Sequence, residues 1–344
     1  MRGGHRFPPS RPRARKDSMR LALLLTLLLT AHLGRAAAPL GQVAPPAVFR
    51  FHLGTAEVTV LNDGSMPIAA GDDMRHATPQ QVRQALTAAF LTSPVETSHN
   101  AFLINTGARL LLVDAGGGDL VPTLGRLEAN LRAAGHTPEQ VDAIYITHMH
   151  GDHIGGLTQQ GRRLYPNATV FVNRREAEHW LDPAEEARAA PQRRELYQTA
   201  RARLAPYQAA RKFQTFEGDM AFEGGLRAIA GHGHTPGHTA YVLQAGGKRL
   251  LLIGDQIHLG ALQFPYPQAT IRYDYVPAAA QAERRRSLED AADHCALVAG
   301  AHLPFPGVGH VRRAGQGFAF VPLAYSPTGQ PVACPTAAPA GTSP

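Results

Sequence analysis

The sequence predicts an α/β protein in which two β-sheets pack face to face with helices on the outside, an αββα sandwich of four layers. Three observations lead there. Strand-like runs come first, then strand and helix alternate, and this pattern runs twice along the body. No short-period internal repeat of the solenoid kind is present. At 344 residues, 44% hydrophobic and 18% charged, the chain suffices for one large domain or two ordinary ones with a normal core.

The elements follow in order. A Pro- and Ala-rich linker occupies residues 39–47. Residues 48–53 and 57–61 read as strands, and Asn62-Asp63-Gly64 reads as a turn. Residues 78–89 form a helix with Thr78 as cap before Pro79. The apolar runs 101–104 and 110–113 make a hairpin that ends at Asp114 and three glycines. A helix spans 120–134 and stops at Gly135, and strands follow at 143–147 and 169–172. The polar stretch 183–211 is helical, a solvated excursion over the core. Later strands lie at 226–229, 240–243 and 249–253, then a helix at 278–294 and strands at 297–299 and 317–321. Residues 326–344, rich in Pro, Ala, Gly and Thr, are expected to be a flexible tail.

The net charge of +7 is misleading. Residues 1–38 carry eight basic residues and one acid, which leaves a body with 26 basic and 26 acidic residues. A neutral body without a basic stripe disfavours nucleic acid as a partner. The basic segment precedes an apolar run, residues 21–33, too short for a comfortable membrane span, and then Ala36, Ala37 and Ala38. Residues 1–38 therefore read as a signal peptide, with Met1 or Met19 as the start, and the protein as exported to the periplasm or beyond. Export allows Cys295 and Cys334 to pair, and spacing alone leaves that open.

The informative segment is Thr147-His148-Met149-His150-Gly151-Asp152-His153, directly after a buried strand. Imidazole nitrogens and carboxylate oxygens are zinc ligands. Packed into a core without metal, four such side chains would bury polar groups without partners. Three later segments each add a ligand type at or near a strand end: His238 in Thr235-Pro236-Gly237-His238, Asp255 after 250–253, and His302 after 297–299.

Together these residues resemble the metallo-β-lactamase superfamily, whose His-x-His-x-Asp-His signature is matched in full by His148, His150, Asp152 and His153. The resemblance covers roughly residues 48–325 and implies the metallo-β-lactamase fold for that domain. Within the superfamily the chain resembles the methyl parathion hydrolase-like and lactonase branch. The residues that carry this are Gly233-His234-Thr235-Pro236-Gly237-His238-Thr239-Ala240-Tyr241, Phe264, and the run from His302 to His310.

The resemblance implies two divalent ions, zinc by default. His148, His150 and His238 would hold one, Asp152, His153 and His302 the other, and Asp255 would bridge them. A hydroxide bridging the metals would attack a lactone or aryl ester, with organophosphate triesters as a side activity. Asp255 would position that hydroxide. His258, three residues on, would assist the carbonyl or leaving group, which tilts the expectation toward lactones over phosphotriesters. A surface histidine is an equal reading of that position. Asp114 resembles the carboxylate that fixes the ligand imidazoles. His232 and His234 read as solvated or supporting histidines, with spare ligands as the alternative, and His99 and His310 read the same way. Trp180, Tyr197 and Phe264 would form an aromatic pocket wall, or simply pack in the core.

Competing readings remain. Asp255 argues against a β-lactamase, a group that usually lacks it. A thioester hydrolase of the glyoxalase II type shares the ligands but wants a basic cluster, for which only Arg284, Arg285 and Arg286 offer themselves. A non-catalytic zinc module would be closed by four protein ligands, whereas this set leaves room for water. No Gly-x-Ser-x-Gly elbow suggests a serine nucleophile. The expected partner is a small ester or lactone, with no membrane span after processing and a homodimer as the assembly to consider.

Overall fold

A computed structural model describes residues 44–326 together with Met1, Gly3, Gly4 and Leu40. The signal peptide expected at 1–38 and the tail expected at 326–344 thus lie almost wholly outside the described residues. The described residues from Pro46 onward group as one compact unit. Among the described residues no helix is long and apolar enough to cross a membrane.

Two seven-stranded sheets form the centre. The first runs, in spatial order, Val48–Leu53, Ala56–Ile68, Val95–Asn105, Leu110–Val113, Ala143–Tyr145, Thr169–Asn173 and Phe213–Phe216. The second runs Met220–Ala221, Leu226–Ala230, Thr239–Ala245, Lys248–Leu252, Leu297–Ala299, Val308–Ala314 and Gly317–Pro322. Side-chain alternation along the strands decides which core each residue enters. Leu111 and Val113 face the second sheet and meet Leu250, Leu252 and Leu297, while Leu110 and Leu112 face outward onto helix residues such as Leu131 and Leu204. On the far side, Val242, Leu251 and Val298 pack against Leu288 and Ala291 of the helix Pro277–Asp293. These three apolar layers make the αββα sandwich.

Several elements differ from the expectation. Asn62-Asp63-Gly64 does not turn the chain; it is an irregularity inside the 13-residue strand Ala56–Ile68. The Asp63 carboxylate instead accepts the backbone N–H groups of Gly117, Gly125 and Leu127, which ties down the loop after Asp114. That loop takes residues expected to be helical, and the helix is only Leu127–Ala133. The helix Pro79–Ala88 starts at Thr78 through a reciprocal pair of hydrogen bonds with Gln81. Cys295 is disulfide-bonded, and the chain's other cysteine, Cys334, lies outside the described residues.

The sandwich matters because strand ends from both sheets reach one rim. The segments after Leu110–Val113 and Ala143–Tyr145 come from the first sheet. Those before Thr239–Ala245 and after Lys248–Leu252 and Leu297–Ala299 come from the second.

Candidate metal centre

Asp114 sets the first loop. It ends its strand at a φ of +61°, and its carboxylate accepts the Thr147 backbone N–H and the Thr147 hydroxyl, both at 2.8 Å. It also lies 2.9 Å from His153 Nδ1. One carboxylate therefore aims the loop and fixes the ring, so that His153 Nε2 faces inward.

Two groups of ligand-type atoms converge on the rim. His148, His150, His234 and Asp255 form the first, and Asp152, His153, Asp255 and His302 the second, with all ligand atoms in each group within 4.8 Å of one another. In the first, His148 Nε2 is 3.0 Å from His150 Nδ1, which is 3.1 Å from His234 Nε2. In the second, His302 Nε2 and His153 Nε2 each approach the Asp255 carboxylate to 3.1 Å. Asp152 Oδ2 lies 3.3 Å from His153 Nε2. Asp255 belongs to both groups, its Oδ1 toward His153 and its Oδ2 toward His148, His234 and His302.

The structure thus brings together six of the seven residues expected as ligands, and it corrects the seventh. His238 is fully buried outside both groups. Its Nδ1 lies 3.0 Å from the Gly231 carbonyl, and its Nε2 accepts the Asp255 backbone N–H at 3.0 Å. It holds Asp255 in place rather than facing the metal positions. His234, expected as a supporting histidine or a spare ligand, stands in the first group instead. The two histidines are four apart in one glycine-rich loop, and only the path of that loop separates them. At Gly233, where φ is +135°, a Cβ would sit 2.3 Å from the Ala280 backbone, so the loop packs too closely for any side chain.

The donor set fits metal. A zinc position with bonds of about 2.0–2.1 Å spaces tetrahedral nitrogens roughly 3.3 Å apart, near the distances seen here. His153 Nε2 and Asp255 Oδ1 are buried and in contact, yet at angles that make no hydrogen bond. Buried polar atoms in that condition want another partner. Burial and neighbouring histidines hold His148 well below its usual value and His150 at about 3, so both rings are neutral and offer lone pairs. Against burial, the surrounding histidines hold the Asp152 and Asp255 carboxyls well below the usual range. Against burial again, Asp255, Asp152 and Asp114 raise His153, and Asp255 raises His302. Two carboxylates thus face two imidazoles whose charged form they favour, a charge arrangement that metal ions would take over.

Further residues hold the ligands. Asp274 Oδ1 lies 2.9 Å from His234 Nδ1, and Asp274 Oδ2 accepts the Ile271 N–H. Fully buried Arg284 donates to the Gln256, Pro267 and Ala269 carbonyls and lies 4.0 Å from Asp274. Arg285 pairs with Glu289 and Arg286 with Glu283. The basic cluster that a thioester hydrolase would want is therefore engaged within the fold. His99 is buried with Nε2 3.1 Å from Asp152, while His232 and His310 are half-buried and outside both groups.

A cavity of about 600 Å³ opens over the centre. Met66, Pro67, Ile68, Leu120 and Leu196 supply apolar wall, and His258, Tyr273 and Tyr275 line it too. His258 is buried, not a surface residue. Its ring stacks on His302, its Nε2 is 3.0 Å from Asp255, and burial holds it at about 4, hence neutral. The expected aromatic wall is corrected. Trp180 and Tyr197 are buried behind the cavity, Trp180 edge-on to His150 at 5.4 Å, and Phe264 stacks on Phe320 in the outer core. Tyr273 and Tyr275 are the lining aromatics, and nothing in their sequence context marks them.

The model of the metallo-beta-lactamase superfamily matches residues 94–302, which hold every residue of both groups. The chain belongs to the metallo-beta-lactamase superfamily. Members of this superfamily are metal-dependent hydrolases. A crystal structure described as hydrolase AbOPH in the beta lactamase superfamily is 34% identical, with a TM-score of 0.79 over 83% of this chain and 100% of that one. AidC, a dizinc quorum-quenching lactonase in complex with a product, is 24% identical with a TM-score of 0.74 over 82% of this chain and 99% of its own, which speaks for the fold alone. Among curated proteins, an atrochrysone carboxyl ACP thioesterase of Passalora fulva is 28% identical over 159 residues, 46% of this chain and 38% of that protein. A ribonuclease of Thermus thermophilus is 30% identical over 46% of this chain and 35% of its own length. The chain thus spans well under half of these curated relatives.

Proposed function

We propose that this superfamily hydrolase is a dinuclear enzyme that opens lactones and aryl esters, with aryl phosphotriesters as secondary substrates. The observation that carries the reading is Asp255, a buried carboxylate shared by two ligand groups at the floor of an apolar-walled cavity. His148, His150 and His234 would hold one metal ion, Asp152, His153 and His302 the other, and Asp255 both. Two such ions supply hydroxide at neutral pH and stabilise negative charge on a carbonyl oxygen.

The chain's own residues do the rest. Met66, Ile68 and Leu196 seat the apolar part of the substrate and exclude water. Asp255 orients the attacking water and takes its proton. Neutral His258 offers an N–H to the oxygen that gains charge. Water adds to the carbonyl carbon, the ring C–O bond breaks, and the leaving oxygen takes up the proton to give a hydroxy acid. A neutral donor beside the bridging carboxylate favours a carbonyl substrate, and this supports the lactone preference.

The test is a pair of rates on the zinc-reconstituted protein, dihydrocoumarin against methyl paraoxon. A strong lactone preference is expected. A phosphotriester preference would move the enzyme to organophosphates and leave His258 as pocket lining, and inertness toward both would remove the ester reading. We also propose export, on the basic and apolar segment before residue 39. Its check is the N-terminal residue of the protein recovered outside the cytoplasm; recovery of the full chain inside would refute it.

A further inference from the structure

Glu176 is a buried carboxylate without a cation. It sits on the helix Arg174–Leu181 and makes no ion pair among the described residues. Burying an ionised carboxylate is expensive unless its lone pairs are filled. Here four neutral donors fill them. Oε1 accepts the Met149 backbone N–H at 2.9 Å and the Trp180 indole N–H at 2.6 Å. Oε2 accepts the Thr235 hydroxyl and the Gly237 backbone N–H, both at 2.8 Å.

The positions of those donors are informative. Met149 lies between His148 and His150, and Thr235 directly follows His234. The two loops come from different sheets, and they carry all three imidazoles of one ligand group. One oxygen of Glu176 grips each loop. The second loop lies so close that a Cβ at Gly237 would meet the Glu176 backbone at 2.3 Å. Trp180, held by the same carboxylate, backs the His150 ring edge-on.

We propose that Glu176 is a positioning residue that fixes the span of the His148, His150 and His234 group for its metal ion. The inference rests on the dinuclear reading above. It bears on one ligand group more than the other, because the donors it grips adjoin His148, His150 and His234, while Asp152 and His153 lie farther along the first loop and His302 on a separate one. The isosteric amide is not a conservative change here. Glutamine replaces one acceptor oxygen with an NH2 that must face two donors, so one loop is released whichever way the amide turns.

The chain has a single tryptophan, which makes Trp180 a built-in reporter of the His150 side. The experiment titrates metal-free full chain with Zn²⁺ alone and follows bound metal and Trp180 emission together. The unaltered chain should bind two equivalents, with the emission change tied to one of them. Glu176→Gln should bind one equivalent normally and the other about 10–100-fold more weakly, the usual scale for a group that orients a ligand. Thr235→Val removes a single donor and should weaken the same equivalent by less, up to about tenfold. If Glu176→Gln fails to fold, Thr235→Val carries the test. Folded variants that bind both equivalents as the unaltered chain does would overturn the proposal, as would equal weakening of both. Fewer than two equivalents in the unaltered chain would instead overturn the dinuclear reading, and this inference with it.

Discussion

Asp274 Oδ1 stands 2.9 Å from His234 Nδ1, on the side of the ring away from Asp255. A carboxylate there requires the proton on Nδ1 and leaves the Nε2 lone pair facing the other ligands. Asp274→Asn keeps the size but turns an amide NH2 toward either His234 or the Ile271 N–H, both donors. Metal affinity at that position should fall about 10–100-fold. Competition with a chromophoric chelator measures it, and unchanged affinity would leave Asp274 without this role.

His234 and His238 should separate cleanly. His234→Ala should remove one metal equivalent and nearly all turnover. His238→Ala should retain both equivalents while the fold loses about 1–3 kcal/mol, because the Asp255 N–H is left buried without its acceptor. Metal analysis and thermal melts on the two variants decide it. Loss of metal from His238→Ala with His234→Ala still loaded would reverse the assignment.

These two histidines mark where the sequence stops being legible. Short apolar runs mark the strands, and the alternation of strand and helix, repeated twice, puts the sandwich within reach. The dense run from His148 to His153 sits on one turn beside a strand end, so local spacing alone groups it. His234 and His238 flank Pro236-Gly237, and either could face the centre until Gly233 lies against Ala280 and fixes the path. Asp274 reaches His234 across 40 residues of chain, and Glu176 reaches Thr235 and Gly237 across 59 and 61, so neither carries a local mark. Composition singles out Trp180 as the one tryptophan, but only packing shows it behind His150.

Asp255→Ala should lower metal content at both positions and abolish measurable turnover, since its two oxygens face different groups. Metal analysis beside a progress curve is the check. Full activity with two ions retained would rule out a shared carboxylate.

His258→Leu should affect the two substrate classes unequally. Removing one donor to a developing oxyanion costs roughly 10²–10³ in kcat, and that loss should fall on lactones. Phosphotriester turnover should change by only a few-fold, since the apolar replacement preserves the cavity wall. Parallel kcat measurements on dihydrocoumarin and methyl paraoxon test this; equal losses would make His258 a packing residue.

The metal-free protein should be most stable near pH ~6.5, the ordinary histidine value. Burial holds His148 well below that value, His150 and His238 at about 3 and His258 at about 4. Below pH ~6.5 the unfolded chain therefore binds protons that the folded protein refuses, and stability falls as the pH drops toward 4. His153 and His302 act oppositely. Burial opposes their charge, but Asp255 and Asp152 outweigh it and raise both. Their contribution is complete below pH ~6.5 and is lost as the pH climbs through their raised values. Asp152 and Asp255 are held low, so their contribution is lost only in stronger acid, outside this window. Melting temperature of the chelator-treated protein against pH should therefore show a maximum between an acid limb and an alkaline limb. Zinc should flatten the alkaline limb, because metal ions then replace the protons on His153 and His302. A metal-free protein whose stability climbs steadily through pH 8 would mean that those two rings are neutral and that the carboxylates are compensated in some other way.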